Sequence, residues 1–317
     1  MKIRRLTRYL NVQDVKKFLH YLFGAESFRP RFDLPEPAPA LLETARQIRG
    51  PERGPAVMIH GILPRAGTVY TGQLLRLHPK LHAFPHNLYE VPFLQLSDEV
   101  LRLQERFLAS HRHNRGKVGE TDFLTLFGSA LVAHLHAGTP AGKRMLVKVP
   151  SVEYLHFFPH VYPHEHLLVL VRDGRDLVDS TVRTWPMFPF SFACRRWRRA
   201  AGMVVRFHGQ WAGRREGYWL ARYEDAVENP EAFVREACRR FGLDESAYPY
   251  DEIEKIRIRG SSTVTAGGDV VWDPQQRPED FRPVGRWRQW PARKKRTFKR
   301  LAGEMLLALG YCEDLSW

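Results

Sequence analysis

A turn-forming segment between two regular patterns reads Ile62-Leu63-Pro64-Arg65-Ala66-Gly67-Thr68-Val69-Tyr70. It follows an apolar run that predicts a strand over 56–63 and precedes a pattern that predicts a helix over 68–77. Gly67 allows the backbone to turn sharply, and the N–H groups of the first helical turn would then point to one place. With the helix dipole, the Arg65 charge and the Thr68 hydroxyl, the segment predicts an anion-binding loop.

The segment differs from the Walker-type nucleotide loop, because the Gly-x-x-x-x-Gly-Lys-Ser/Thr pattern is absent. This disfavours a magnesium-dependent NTPase. Taken alone, the segment is equally compatible with an ordinary strand–turn–helix connection that binds no ligand.

Outward from this segment, strand and helix patterns alternate along the chain. Strands are also predicted over 145–149, 167–171 and 218–223, and helices over 97–110, 123–136, 176–184, 192–214, 230–241 and 292–309. The alternation predicts an α/β fold with a P-loop-like central parallel sheet flanked by helices on both faces. We expect residues 56–317 to form this single domain and residues 1–55 to form a helical, proline-rich extension.

The extension carries apolar residues at helical spacing, namely Val15, Phe18, Leu19 and Leu22, with basic residues around them. Such a helix either packs on the domain or lies on an anionic membrane surface as a peripheral contact. No apolar run approaches the roughly 20 residues that span a bilayer, and residues 1–10 lack the apolar core of a secretion signal. The sequence therefore predicts neither a membrane anchor nor export.

Charge and cysteine content point to an intracellular protein with an anionic ligand. The 317 residues include 49 Lys and Arg against 35 Asp and Glu, a net charge of +14, and Arg supplies 38 of the 49. Arginine suits bidentate contact with phosphate, sulfate and carboxylate, although the charge alone does not choose between nucleic acid, anionic lipid and a small anion. Three scattered cysteines predict a reducing compartment, the cytoplasm.

Two further predicted strands end in polar residues suited to a nucleotide. Arg172 follows the strand over 167–171, and Ser180 lies eight residues later in the next helix, so both can reach a second phosphate. Tyr223 ends the strand over 218–223. The alternative for the first of these segments is that Arg172, Asp173, Arg175 and Asp176 form a solvated surface cluster.

A fourth segment, Gly285-Arg286-Trp287, precedes the basic C-terminal helix. In this order the four segments resemble those of sulfotransferases that use 3'-phosphoadenosine 5'-phosphosulfate (PAPS), most closely the bacterial and tyrosylprotein-sulfotransferase-like branch. The resemblance covers about 57–311 and implies PAPS as co-substrate, adenosine 3',5'-bisphosphate (PAP) as product, and no metal.

The resemblance also implies roles for individual residues. The 5'-phosphosulfate loop would comprise Pro64, Arg65, Ala66, Gly67, Thr68 and Val69, with Ala66 and Val69 standing where the family usually has hydroxyl side chains. Arg172 and Ser180 would hold the 3'-phosphate and Tyr223 the adenine. Ser261 or Ser262, together with Gly285, Arg286 and Trp287, would complete the nucleotide site.

For catalysis, the resemblance implies that Arg65 stabilises the leaving oxygen and that Lys148 points at the sulfuryl group. Pro150 occupies the place where one branch of the family has a catalytic histidine. The general base is then His86, with Glu90 orienting it if the two share a helix face, or Glu90 itself. A third possibility is that neither residue is catalytic.

The acceptor carries a hydroxyl group, and a small-molecule, lipid or carbohydrate alcohol is expected, with a peptide tyrosine left open. The aromatic stretch over 185–192 could line an acceptor cleft, act as a lid or pack as a loop. No nucleic-acid partner is expected, the oligomeric state is not predicted, and the arginine content is typical of a GC-rich bacterial genome. The rival interpretations are a nucleotide kinase of related fold and a nucleic-acid or membrane-surface binder that uses 195–199 and 293–300.

Overall fold

The computed structural model describes residues 32–257, 276 and 282–317. The predicted helix over 15–22 and the candidate residues Ser261 and Ser262 lie outside this part of the chain. A five-stranded sheet with the order β2-β3-β1-β4-β5 forms the centre, and every pair of neighbours is parallel. Its strands are β1 (Val57–Gly61), β2 (Leu81–Ala83), β3 (Arg144–Val149), β4 (His166–Val171) and β5 (Tyr218–Arg222).

Ten α-helices occur in the described residues. They are α1 (Pro39–Arg49), α2 (Thr68–Leu75), α3 (Ser97–Ser110), α4 (Asp122–Ala137), α5 (Phe158–Val161), α6 (Gly174–Thr184), α7 (Phe190–Trp211), α8 (Tyr223–Glu228), α9 (Pro230–Phe241) and α10 (Ala292–Ala308). Of these helices, none is at once long enough and apolar enough to cross a membrane.

The strands form the middle layer because most of their residues are apolar and buried, as in sheets covered on both sides. One face packs against α4, α7 and α10 through large side chains such as Trp197 and Phe298. The other face packs against α2 and α9 through Leu74, Phe233 and Phe241. The predicted fold class, a parallel α/β sheet with helices on both faces, is thereby confirmed.

The strand order reverses direction at β1, which has β3 on one side and β4 on the other. In open parallel sheets, ligands bind outside the carboxyl ends of the strands where the order reverses, because the connecting loops diverge there. The segment 62–67 leaves β1 at this point. The segments that follow β4 and β5 leave the same edge of the sheet.

Helix α1 lies in the predicted proline-rich extension over 1–55 and is not among the helices that the sequence patterns predict. The structure places Pro39 in the first turn of α1, where proline is tolerated because its missing N–H has no helical partner. The last residue of α1, Arg49, forms a 2.6 Å ion pair with Glu165 just before β4, and both side chains are almost fully buried. This pair attaches α1 to the amino-terminal end of β4, at the opposite end of the strands from the candidate site.

Candidate functional site

The segment after β1 forms a tight loop that ends in a left-handed residue. Gly67 caps α2 with φ 94°, and a Cβ atom there would stand only 2.1 Å from Cδ2 of Tyr223. Arg65 also has positive φ, at 77°. Glycine is therefore required at 67 both by its backbone conformation and by the Tyr223 ring, which lies directly against the loop.

Arg172 connects the loop to a distant part of the chain. Its Nη1 donates to the carbonyl of Arg65 and its Nη2 to the carbonyl of Pro283, both at 2.7 Å. The guanidinium also lies 4.8 Å from the centre of the Tyr223 ring. The Nε of Arg172 is buried and has no hydrogen-bonding partner within the described part of the chain. A buried donor without a partner is costly, and an anionic ligand bound at this position would supply an acceptor to this atom.

Arg65, Arg172 and Arg286 bring three positive charges together beside the loop after β1. The Nε of Arg65 lies 3.4 Å from Oγ of Ser180. Burial and the nearby charges of Arg172 and Arg286 lower the pKa of Arg65 to about 10. Burial and Arg172 also lower the pKa of Arg286. Because each guanidinium makes its neighbours less stable as cations, the cluster favours binding of an anion.

Asp176 holds the Gly285–Trp287 segment next to this cluster, a role that sequence analysis missed. Its carboxylate is buried and accepts the backbone N–H of Gly285 at 2.6 Å and of Trp287 at 3.2 Å. Burial raises the pKa of Asp176. We call Asp176 with residues 285–287 the clamp. The pattern of alternating charges over 172–176 gave no sign of such long-range contacts.

Arg175 supports the clamp from the other side. It pairs with Asp173 at 2.7 Å, and its guanidinium lies 3.8 Å from the centre of the Trp287 ring and 4.6 Å from that of Trp317. Asp173 and Arg175 are as deeply buried as Arg172 and Asp176. The alternative that these four residues form a solvated surface cluster is therefore wrong.

Lys148 lies at the end of β3 on the other side of β1. Its side chain is nearly buried and packs on Gly72 of α2, with the Lys148 Cδ 3.6 Å from a Cβ placed there. Its Nζ lies 4.0 Å from the centre of the Tyr89 ring and 3.6 Å from Oε1 of Glu90. Sequence analysis did not identify Tyr89, because the backbone over 88–91 follows no regular pattern.

The His86 side chain packs against α4 and not beside Lys148. Its ring stacks on His134 with centroids 4.4 Å apart, and its Nε2 donates to the His134 carbonyl at 2.7 Å, near the end of α4. If neutral, His86 would retain only Nδ1 as a proton acceptor. A 3-10 turn over Pro85–Asn87 ends before Glu90, so the helix face that His86 and Glu90 could have shared does not form.

A pocket opens beside Lys148, between α2, β3 and residues 83–91. Its lining consists of Val69, Gly72, Gln73, Arg76, Ala83, Phe84, Leu88, Tyr89, Val91, Leu146, Val147 and Lys148. Most of these side chains are apolar, while Lys148 and Arg76 supply positive charge. The aromatic stretch over 185–192, considered as a cleft wall in the sequence analysis, contributes no lining residue.

The candidate residues thus fall into two neighbouring groups. Around the loop after β1 lie Arg65, Gly67, Arg172, Ser180, Tyr223 and Arg286. Around the end of β3 lie Lys148 and Glu90, with Val69 in the pocket wall. Ala66 and Thr68 are buried within the loop and the start of α2. His86 belongs to neither group. Within the described residues, no three His, Cys, Asp or Glu side chains are grouped to hold a metal ion.

The solved structures that are similar to this chain include several sulfotransferases. The solved sulfotransferase domain from the Synechococcus PCC 7002 olefin synthase is 18% identical, with a TM-score of 0.50 over 81% of this chain and 96% of that one. Sulfotransferase STF9 from Mycobacterium avium is 13% identical, with a TM-score of 0.46 over 93% of this chain and 96% of that one. A retinol dehydratase in complex with retinol and PAP is 15% identical, with a TM-score of 0.43 over 84% and 86% of the two chains.

At these identities the solved structures establish the fold alone. No curated protein matches the chain significantly. The family assignment comes from the model of the sulfotransferase family, which matches residues 55–247. That range contains β1 to β5, the loop after β1, and Arg172, Ser180 and Tyr223. The chain therefore belongs to the sulfotransferase family.

Proposed function

We propose that the protein transfers the sulfuryl group of PAPS to a hydroxyl group and releases PAP. The observation that carries this proposal is the cluster of Arg65, Arg172 and Arg286 around the loop after β1, where the buried Arg172 Nε has no partner among residues 32–257 and 282–317. Such a cluster suits a ligand with separated anionic groups. PAPS has a 3'-phosphate and a 5'-phosphosulfate on one nucleoside.

The chain offers a fitting group for each part of this donor. Backbone N–H groups over 65–68 and the start of α2 would hold the 5'-phosphosulfate. Arg172, Ser180 and the clamp would hold the 3'-phosphate, and the buried Tyr223 ring would contact the adenine. Ala66 and Val69 lack the hydroxyls common in the family, so the backbone would carry more of the 5' contact than usual.

For the chemical step, the acceptor oxygen forms a bond to sulfur while the bond from sulfur to the phosphate oxygen breaks, in line. Arg65 and Lys148 would stabilise charge on the leaving and equatorial oxygens. The acceptor's proton would pass to the carboxylate of Glu90. Glu90 is the better candidate for the base than His86, because the Glu90 carboxylate lies 3.6 Å from Nζ of Lys148, whereas the His86 ring packs against α4.

The acceptor would enter through the pocket beside Lys148. The apolar lining from Phe84, Leu88 and Val91 suits a hydrophobic alcohol or phenol. Such a molecule would place its hydroxyl near Lys148 and Glu90. We propose the cytoplasm as the compartment, since Cys194, Cys238 and Cys312 are all unpaired.

The test is calorimetric binding of PAP to the full chain, with 5'-AMP and ATP–magnesium as controls. We expect PAP to bind much more tightly than either control. Arg172→Ala should weaken PAP binding about 10- to 100-fold, as expected for a lost charge-assisted contact, and should weaken 5'-AMP binding by a smaller factor, because 5'-AMP lacks the 3'-phosphate. Equal binding of all three nucleotides, or no binding, would refute the proposal.

A further inference from the structure

Two basic helices, α7 and α10, pack side by side. The α7 sequence contains five arginines and no acid, while α10 contains six Lys or Arg and one acid, Glu304. The ring of Trp197 lies 5.8 Å from that of Phe298, and Nη2 of Arg198 lies 3.9 Å from Oε2 of Glu304. Since later residues of α7 meet later residues of α10, the helices are parallel and their outer surfaces adjoin.

The exposed arginines of α7 and α10 are grouped on one face of each helix. On α10, Arg293, Arg296 and Arg300 are exposed at helical spacing, so they lie on one face. On α7, Arg195, Arg199 and Arg206 are exposed and also lie on one helix face, with Arg198 near Glu304 of α10. We call these seven arginines the basic face. The opposite sides of both helices are buried in the core.

The basic face is not explained by the stability of the fold. The first turn of α10 contains cations and no acid, although the positive end of a helix dipole disfavours cations. Within the two helices Glu304 is the one acid, so the helices themselves carry a large excess of positive charge. An arrangement that costs stability in the isolated protein is expected where an anionic partner compensates it.

Exposed apolar side chains lie at both ends of the basic face. Met187 is 52% exposed in the loop before α7, between Pro186 and Pro189, which are also exposed. The next residue, Phe190, lies 5.6 Å from Nζ of Lys294 at the start of α10, which places the loop at that end. At the other end, Leu307 is 39% exposed in line with Arg300.

The combination of cations with flanking apolar side chains selects one kind of partner. A nucleic acid or an acidic polysaccharide would satisfy the arginines but would offer no hydrocarbon to Met187 and Leu307. A bilayer with anionic headgroups offers both, because cations bind at its surface and apolar side chains enter the acyl boundary. The three arginines on α10 span about 10 Å of helix, and the surface from Arg293 to Leu307 spans about 21 Å, comparable to the width of a few lipid headgroups.

We propose that the basic face docks the protein on the surface of an anionic phospholipid bilayer. The contact is peripheral and uses Met187 and Leu307 as shallow apolar anchors. The basic face contains no residue that we assign to the nucleotide or acceptor sites, so this proposal can be tested independently of the proposed function.

The test is cosedimentation of the full chain with vesicles of phosphatidylcholine alone or with about one third phosphatidylserine. We expect binding only to the anionic vesicles, weakened by salt. The triple variant Arg293→Glu/Arg296→Glu/Arg300→Glu should bind about 10-fold or more weakly, and Met187→Ser should bind measurably less. The matched control is Arg106→Glu/Arg115→Glu/Lys117→Glu, which makes the same charge change at exposed positions on and after α3.

Calorimetric PAP binding and circular dichroism of each variant show whether it is folded. If the triple variant does not fold, the milder Arg296→Gln/Arg300→Gln takes its place. Equal loss of vesicle binding in the matched control would overturn the proposal, because net charge would then explain it. Failure to bind anionic vesicles, or binding of single-stranded RNA or heparin in preference to them, would overturn it as well.

Discussion

Glu90 and His86 are four residues apart, but their side chains contact different parts of the molecule. The Glu90 carboxylate lies near Lys148, beside the pocket, while the His86 ring packs on His134 and donates to a carbonyl of α4. His86, Asn87 and Phe84 all have left-handed backbone conformations. These left-handed residues turn the chain, so that the His86 and Glu90 side chains point to different places. No helical or strand periodicity could have revealed them, which is why sequence analysis left the base unresolved.

Substitution of the two residues separates their roles. Glu90→Gln should lower turnover about 100-fold or more, because the acceptor would lose its proton acceptor, while PAP affinity stays unchanged. His86→Ala should leave turnover within a few-fold of the wild type. Initial rates with labelled PAPS and a panel of apolar alcohols and phenols measure this. The opposite pattern would assign the base to His86.

Other site residues could be identified from the sequence because they follow strands directly. Arg172 comes immediately after β4 and Tyr223 immediately after β5. The carboxyl ends of parallel strands meet at one edge of the sheet, so side chains at those ends converge whatever the loops do. The short contact between Gly67 and Tyr223 is a direct result of this convergence.

Helix and strand limits agree best where the pattern was long and strongly periodic. Helices α3 and α9 begin and end at the predicted residues, and α9 is capped by Asn229, whose side chain accepts the N–H of Ala232. Strand β2 was missed because it has three residues, too few for a period. Helix α1 was missed because it begins with Pro39 at the end of a proline-rich stretch, where no apolar period precedes it.

The position of the clamp depends on one buried acid, Asp176. Asp176→Ala removes the acceptor of the Gly285 and Trp287 N–H groups, so the clamp should loosen and PAP affinity should fall about 10-fold. The matched control is Asp225→Ala, at an exposed position on α8. Calorimetry measures affinity, and thermal unfolding checks the fold.

If Asp176→Ala unfolds the protein, Asp176→Asn keeps the shape and one acceptor oxygen, and a smaller loss of affinity is expected. Unchanged PAP affinity in a folded Asp176 variant would show that the clamp does not depend on this carboxylate.

At the scale of the whole molecule, burial lowers the pKa of several histidines in the part of the chain that the structure describes, most strongly for His60, His136 and His166. Burial lowers the pKa of His60 to about 4. Burial and the charge of Arg49 lower the pKa of His136 to about 4. Burial and the charge of Arg144 lower the pKa of His166 to about 4. In the unfolded chain these groups protonate near pH 6.5. Between pH 6.5 and 4 the unfolded state therefore binds more protons, and these histidines destabilise the fold as the pH falls.

The matching measurement is thermal unfolding at pH 7 and pH 5. His136→Gln removes one of the three buried groups, so its melting temperature should fall less between the two values than that of the wild type. His113→Gln, at an exposed position, should show the wild-type difference. A difference for His136→Gln as large as that of the wild type would mean that His136 titrates normally in the folded protein.

The aromatic residues around the clamp have an optical consequence. Trp287 and Trp317 lie 4.9 Å apart with Arg175 against both rings, and Trp290 donates to Asp179 on the helix that also carries Ser180. Indole emission responds to nearby charge and to the polarity around the ring. The protein thus contains its own fluorophores at the edge of the nucleotide site, and movement of the clamp would change their emission without any added label.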